Sequence, residues 1–561
     1  MRGGRRGERG DSDRWETTRM ASRRDELNAY TFARRRTVGA FLQPAGGGND
    51  EDAPRPVRAV VPSLVMAALV VAGFGMWGLI KPAAPKGWDD GRSIVVGKES
   101  TTRYVVLANP DKPDEKTLYP VLNMASAKLV LDADSKVTFV EDKVLDRYGR
   151  HGATIGIPYA PDKLPPAGEA GQAKVWTVCD RPGDDTGHTT VNQAVFVLTD
   201  AQAAPLRNPH FRLSRGNALY VQAPGPDGKG GDEYLVDATG TKHSLGRADP
   251  HDKVASSLRV GLFGTQAAPQ RVTQQWLDTL ADGEAVTFPK VAGFKGGSSM
   301  GLAHQEDRRV GRLMSFDSNS DGTPESYYVV GEDRLYRLSD FELQLFQSNP
   351  ATLEVYGDQR ITISPLTSAE HAQYAGPVGQ ENRLPLPSDW PQSRPDQAVN
   401  RTDSEGGTRS VVCSTFEGLD EKSNPRRSVW ASTAFPASAT NGSASAHVTP
   451  GTGLLYRAME GAAGAAGSEV SGSVFLLTET GLRYRVVANG DSAAKSSVLP
   501  ERSQSPDASD GQQAQAQQGN DAQARLGYKD IRPSLVPKAW SDLVPAGPNL
   551  DTKSALQPQT S

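Results

Sequence analysis

Phe475-Leu-Leu-Thr-Glu-Thr-Gly481-Leu-Arg-Tyr484-Arg-Val486 sets an aromatic and two aliphatics before a Thr/Gly turn. After the turn come an aromatic, a polar and an aliphatic residue. Alternation about a glycine-bearing turn marks a β-hairpin with one buried face. The pattern recurs at Tyr234-Leu-Val-Asp-Ala-Thr-Gly240-Thr-Lys-His243-Ser-Leu245 and at Tyr328-Val-Val-Gly-Glu-Asp-Arg-Leu-Tyr336-Arg-Leu338. A looser copy has Tyr104-Val-Val-Leu, a longer turn through Pro110 and Pro113, then Leu118-Tyr119-Pro120-Val121. Four copies imply internal duplication, and repeated surfaces suit scaffolding or ligand-array binding better than one catalytic cleft. Few helices intervene; Thr273–Leu280, with Val272, Trp276, Leu277 and Leu280 on one face, is the clearest. The expected class is α+β, mainly β.

Upstream of the hairpins, Ala59–Ile80 (AVVPSLVMAALVVAGFGMWGLI) runs 22 residues without a charge. As a helix it extends about 33 Å, enough for a hydrocarbon core of ~30 Å. Pro62 lies in the first turn and Trp77 near the far end, at interfacial depth. A signal peptide has a short leading region, whereas 58 residues precede this stretch, so it reads as an uncleaved single-pass anchor.

Composition alone hides that anchor. The 561 residues carry 62 Lys+Arg against 66 Asp+Glu and have a mean hydropathy of −0.50, which excludes a polytopic membrane protein and a collagen-like fibre. Residues 1–58, however, hold 13 Arg, no Lys and nine acids, a balance of +4 that leaves −8 for the rest of a chain at −4. The long C-terminal part translocates largely regardless of charge, so it is placed outside the membrane and the N-terminus in the cytoplasm. Residues 1–19 read as disordered, and Met20 reads as a second candidate start. Residues 20–58 form a basic amphipathic arm and hinge. There Leu27, Tyr30 and Phe41 fall near helical spacing beside Arg34, Arg35 and Arg36, a docking helix also suited to anionic headgroups. The plainer reading of the same helix is a solvated charged surface.

The remaining divisions are a β-rich exported part over 81–499, a Gln/Ser-rich disordered insertion over 500–525, an ordered segment over 526–550 and a polar tail over 551–561. Cys179 and Cys413 both follow the anchor. An even pair in an exported domain usually forms one bridge, worth about 4–5 kcal/mol by loop-closure arithmetic; the alternative is two buried thiols.

No constellation of reactive residues rises above background. The eight His are isolated, so no zinc site is expected. Gly297-Ser-Ser-Met-Gly301 matches G-x-S-x-G but lacks the strand and helix that a nucleophile elbow needs. Asp317-Ser-Asn-Ser-Asp321-Gly322 opens like a calcium loop, yet its twelfth position is Tyr328, so a hairpin turn is the simpler account and calcium the lesser one. Gly225-Pro-Asp-Gly-Lys229 is not a phosphate loop, and no Walker A motif occurs.

The basic arm, the single span, Leu118-Tyr-Pro-Val-Leu-Asn-Met-Ala-Ser-Ala-Lys-Leu-Val-Leu131, Gly156-Ile-Pro-Tyr-Ala-Pro161, Trp176-Thr-Val-Cys179, Val411-Val-Cys413 and Val536–Leu550 stand in that order. Together they resemble the EccB family, a core membrane component of actinobacterial type VII (ESX-type) secretion machines. The resemblance covers about residues 20–550, with 500–525 departing from it as an insertion. It implies an inner-membrane protein with a β-rich core, four peripheral repeats and a Cys179–Cys413 disulfide. The repeats would be similar to cell-wall-binding modules of a phage lysin, so contact with peptidoglycan is implied too. The implied partners are an FtsK/SpoIIIE-type motor ATPase, a multi-span channel subunit and further copies of the chain, with no nucleic acid. Some family members are described as ATPases, which nothing in this sequence supports. The expectation is therefore a structural subunit with no catalytic residues and no cofactor. The alternatives are a membrane-tethered peptidoglycan-binding protein and a nucleotide hydrolase.

Overall fold

The computed structural model describes residues 23–42, 57–80, 84–109, 112–183, 190–226, 230–265, 267–357, 359–377, 379–395, 397–400, 409–438, 446–459, 472–487 and 521–559. Within 57–80, side chains are described for 60–72. The N-terminal stretch expected to be disordered, 1–19, lies outside these residues, as do 43–56 and 500–520. The chain divides into two units, Met1–Pro82 and Ala83–Ser561.

The first unit has two helices, α1 (Arg23–Leu42) and α2 (Val57–Ile80). Asp25 and Glu26 in the first turn of α1 complement the helix dipole. Helix α2 starts two residues before the expected span, so Pro62 is its sixth residue and falls beyond the first turn. Its 24 residues extend about 36 Å.

The second unit carries 23 strands among its described residues. The first six are β1 (Ser93–Gly97), β2 (Arg103–Asn109), β3 (Lys112–Val121), β4 (Lys136–Val140), β5 (Val175–Pro182) and β6 (Val191–Leu198). Next come β7 (Asn217–Pro224), β8 (Gly230–Val236), β9 (Thr241–Gly246), β10 (Gln270–Arg271) and β11 (Ala281–Gly283). Then follow β12 (Leu313–Phe316), β13 (Ser326–Val330), β14 (Leu335–Leu338), β15 (Ile363–Pro365) and β16 (Gln397–Ala398). The last are β17 (Val411–Leu419), β18 (Pro425–Ser432), β19 (His447–Val448), β20 (Leu454–Met459), β21 (Val474–Leu477), β22 (Arg483–Val486) and β23 (Ser534–Pro537).

All four stretches with the repeated pattern are antiparallel pairs: β2–β3, β8–β9, β13–β14 and β21–β22. Each belongs to its own sheet, and the four sheets share one connectivity. A three-strand meander is followed by a crossover that returns a fourth strand parallel to the first, giving β3-β2-β1-β4, β9-β8-β7-β10, β14-β13-β12-β15 and β22-β21-β20-β23. A later segment then runs parallel to the third strand: His151 and Ile155 beside β3, β11 beside β9, Arg383 beside β14, and Ala546 and Leu550 beside β22. Both flanks of the meander thus gain partners, which limits exposed edge.

A fifth sheet, β18-β17-β5-β6-β19, lies at the centre of the contacts. Trp176, Val178, Val412 and Phe416 on one face share a core with Leu219 and Val221 of β7, Trp276 and Leu277 of the short helix Gln274–Asp278, and Tyr456 and Trp540 of the fourth sheet region. Val175, Cys179, Phe196, Cys413 and Trp430 form a second core on the other face. The helix within the expected Thr273–Leu280 segment is capped by Thr273, whose side chain accepts from Trp276 N–H.

Two expected boundaries move. The described residues begin again at Asp521, inside 500–525, where Ala522 is buried and Arg525 donates to the Leu131 carbonyl (2.7 Å). Residues 551–559 are docked, contrary to the expected polar tail. Asp551 caps the helix Thr552–Ala555, Ala555 is buried, and Gln559 N–H donates to the Thr154 carbonyl (2.8 Å). Single small apolar residues suffice for this packing, which is why composition did not signal it.

Candidate functional site

Cys179 and Cys413 are bonded across 234 residues of chain. They sit opposite one another on the antiparallel neighbours β5 and β17, and both are fully buried. Beside the bond, Asp180 points to the opposite face, where it accepts from Thr273 N–H (2.6 Å), Thr273 Oγ1 (2.8 Å) and Gln193 Nε2 (3.0 Å). Burial pushes its carboxyl up to about 6, against the opposing pull of these three donors. The group therefore joins the central sheet to the helix Gln274–Asp278. Its geometry is that of a structural tie, because every contact is to a donor of the same fold.

Leu27, Tyr30, Arg34, Arg35, Arg36 and Phe41 all lie on α1, and all are exposed. At 3.6 residues per turn, Leu27, Tyr30, Arg34 and Phe41 fall within a sector of about 60°, while Arg35 and Arg36 point elsewhere. Phe41 is 89% and Tyr30 69% exposed, an apolar stripe with one cation inside it.

Ala59 and Ile80 both lie within α2, and their side chains are outside the described set. The described part, 60–72, is uncharged and exposed throughout. Among the described residues no helix is long and apolar enough to cross a membrane.

The motifs weighed for chemistry resolve into turns. Ser298 and Ser299 hydroxyls both donate to the Glu332 carbonyl (3.1 and 2.8 Å), so Gly297–Gly301 is a loop tied to β13–β14. In the Asp317–Asp321 loop, Asp317 accepts from the backbone N–H groups of Asn319 and Gly322, and Asp321 from that of Thr323. Glu325 accepts from Ser318 Oγ and Asn319 Nδ2. These carboxylates serve their own turn, and among the described residues no three His, Cys, Asp or Glu are grouped to hold a metal. Lys295 pairs with Glu354, and Lys229 lies outside the described residues.

Two features had no assigned role in the sequence. The first is Tyr159, 90% exposed and held at φ 62°. It is third in a turn closed by Ala160 N–H donating to the Ile157 carbonyl (3.3 Å), with Pro158 second, a position that favours glycine. A non-glycine residue there costs about 1–2 kcal/mol. The turn is held from below: Asn123 Nδ2 donates to the Ile157 carbonyl (2.8 Å) and Ile157 N–H to Ser126 Oγ (2.9 Å). Three residues before Tyr159, Gly156 packs close to Leu122, and its N–H donates to the Gln557 carbonyl (3.3 Å). The signal available in the sequence was the Pro-Tyr-Ala turn within Gly156–Pro161.

The second feature is a cavity of about 480 Å³ between the Asp237–Thr241 turn, the start of β7 and the loop Asp389–Pro395. Leu235, Trp390, Pro391 and Pro395 give it apolar walls. Asp237 Oδ1 takes all three of its bonds, from Thr239 N–H, Thr239 Oγ1 and Thr241 N–H. Asp389 Oδ2 accepts from Glu284 N–H (2.8 Å). One oxygen of each carboxylate is left without a bond among the described residues.

Two N-terminal helices, four mixed sheets of one connectivity and a cross-linked fifth sheet define a β-rich protein with a helical N-terminal part. The chain belongs to the EccB family: the family described as "Type VII secretion system ESX-1, transport TM domain B" matches residues 19–560. A relative from Mycobacterium marinum, "ESX-5 secretion system ATPase EccB5", is 28% identical over 48% of this chain and 52% of its own length. "ESX-3 secretion system ATPase EccB3" of Mycolicibacterium smegmatis is 24% identical over 76% of this chain and 75% of its own. The first curated relatives are thus matched over little more than half their length. Among solved structures, a chain of an intact ESX-5 inner membrane complex shares the fold with a TM-score of 0.56, 20% identity and 97% coverage of both chains. The EccB3 dimer from the ESX-3 core complex aligns with the same TM-score at 21% identity, over 83% of this chain and 99% of that one.

Proposed function

We propose that the chain is a structural subunit of a type VII secretion membrane complex. The supporting observation is the family match over residues 19–560 together with a fold shared end to end with a chain of an intact ESX-5 inner membrane complex. In this reading α2 anchors the protein in the inner membrane with α1 in the cytoplasm. The uncharged run Ala59–Ile80 supports the anchor, and the exposed Leu27–Tyr30–Phe41 stripe supports docking of α1 on the motor ATPase and channel subunit. The four sheets of common connectivity are duplicated modules, and the large unit lies outside, where an oxidising compartment preserves Cys179–Cys413. Copies of the large unit associate with one another. Contact with peptidoglycan through the repeated modules is a further part of the reading.

Deletion of residues 20–44 tests the docking arm. The shortened protein should stay in the membrane but no longer co-migrate with the motor subunit on native gels. Unchanged co-migration would overturn the arm's role.

A second reading, nucleotide hydrolysis, is favoured by the names of the curated relatives. Alanine at Lys229 and Lys295 in the full chain tests it, because hydrolysis by a phosphate loop built on either lysine would be lost. Hydrolysis that survives both changes excludes these two lysines.

A further inference from the structure

The turn bearing Tyr159 offers an exposed aromatic ring, and the cavity beside β7 offers apolar walls and two carboxylates. We infer that Tyr159 of one copy inserts into the Trp390–Asp237 cavity of a neighbouring copy, so that copies join head to tail. This rests on the self-association in the proposed function and names the surfaces that carry it.

The knob is an aromatic ring next to a proline, carried on a turn whose flanks are pinned by Asn123 and Ser126. Little side-chain freedom is lost when such a group docks, and rigid aromatic anchors dominate interface energetics. Tyr159 lies in the left-handed region with 90% of its surface exposed, and among the described residues nothing packs on its ring to account for the strain.

The hole is of matching size. A volume of about 480 Å³ falls in the range that houses a compact organic group, enough for a phenol ring and an adjoining proline. Leu235, Pro391 and Trp390 offer apolar walls to the ring. The uncommitted oxygens of Asp237 and Asp389 are acceptors, and the phenol O–H is a donor. The knob is uncharged, so docking buries no cation that would need a new partner.

Knob and hole lie on different modules of the chain, so the contact is heterologous. Such a contact closes into a ring when the rotation per step permits and otherwise extends as a filament.

The test uses the full chain purified in mild detergent, with copies per particle read by mass photometry. Tyr159→Gly removes the knob and relieves the left-handed backbone, so its thermal midpoint should not fall. Ser393→Trp fills the cavity from its own lining. Each variant alone should associate at least tenfold more weakly than the unmodified chain. An equimolar mixture should form pairs again, because the intact cavity of one variant accepts the intact Tyr159 of the other. Association of Tyr159→Gly at the unmodified strength, or a mixture no better than either variant, would overturn the contact. If the unmodified chain remains a single copy, self-association fails, and this contact with it.

Discussion

The central sheet and the four sheets around it solve the same problem in opposite ways. Strand β5 is buried at six consecutive positions, Val175 to Asp180, because odd and even residues feed two different cores. Strand β9 buries only His243 and Leu245 and leaves its alternate residues half exposed. A strand covered on both faces has no polar side to display and reads as a continuous apolar run. The peripheral sheets are held by recurring local pairing; the centre is held by a covalent bond and by aromatic side chains drawn from several modules. The centre therefore carries the long-range stability, and the periphery carries surface.

The sharpest way to break this contrast is to remove the bond. Replacing both Cys179 and Cys413 with serine should lower the unfolding free energy of the large unit by about 4–5 kcal/mol, read from the denaturant midpoint. An unshifted midpoint would mean that the bond is incidental to the centre.

Trp540 makes the next largest difference. It is fully buried beside Phe416, and Trp540→Ala should cost about 3–5 kcal/mol. Phe139, on the peripheral strand β4, is 57% exposed, and its alanine variant should stay within about 0.5 kcal/mol. Equal effects would erase the distinction between centre and periphery.

Asp180 gives the centre a pH signature. Its folded carboxyl titrates at about 6 against 3.8 for the ordinary group, so the fold binds the proton more tightly than the unfolded chain does. Its effect is to make stability greatest below about 4 and to lower it as pH rises to about 6, by an amount on the order of 2–3 kcal/mol. Asp180→Asn should flatten that slope in thermal melts between these values. A slope of the same size in the variant would assign it to other groups.

The smallest effects compare two peripheral turns. A Cβ on Gly481 would lie 2.0 Å from the Ala446 carbonyl oxygen, whereas one on Gly322 meets nothing within 4 Å; both glycines have positive φ. Gly322→Ala should cost about 1 kcal/mol from backbone strain alone, and Gly481→Ala measurably more. Equal costs would show that the fourth hairpin does not press on its neighbour.

The same contrast explains what the sequence revealed. Tyr234–Leu245, Tyr328–Leu338, Phe475–Val486 and Tyr104–Val121 were legible because a half-buried hairpin alternates around its turn. Val175–Pro182 and Val411–Leu419 were not, since neither alternates, and a central core came only from the family resemblance. Among the parallel additions to the meanders, β10 has two residues and β11 and β15 have three each, too short for any period. At the candidate surfaces, α1 and the cysteines were visible as composition. Tyr159 was hidden because its strain is a property of φ, and the cavity because its walls come from segments about 150 residues apart.

The most direct measurement is the set of proteins that co-purify with the tagged full chain from its native membrane in mild detergent. The other membrane components of a type VII secretion complex should be recovered in a fixed ratio to this chain. Recovery of this chain alone, with those components present in the same membranes, would contradict it.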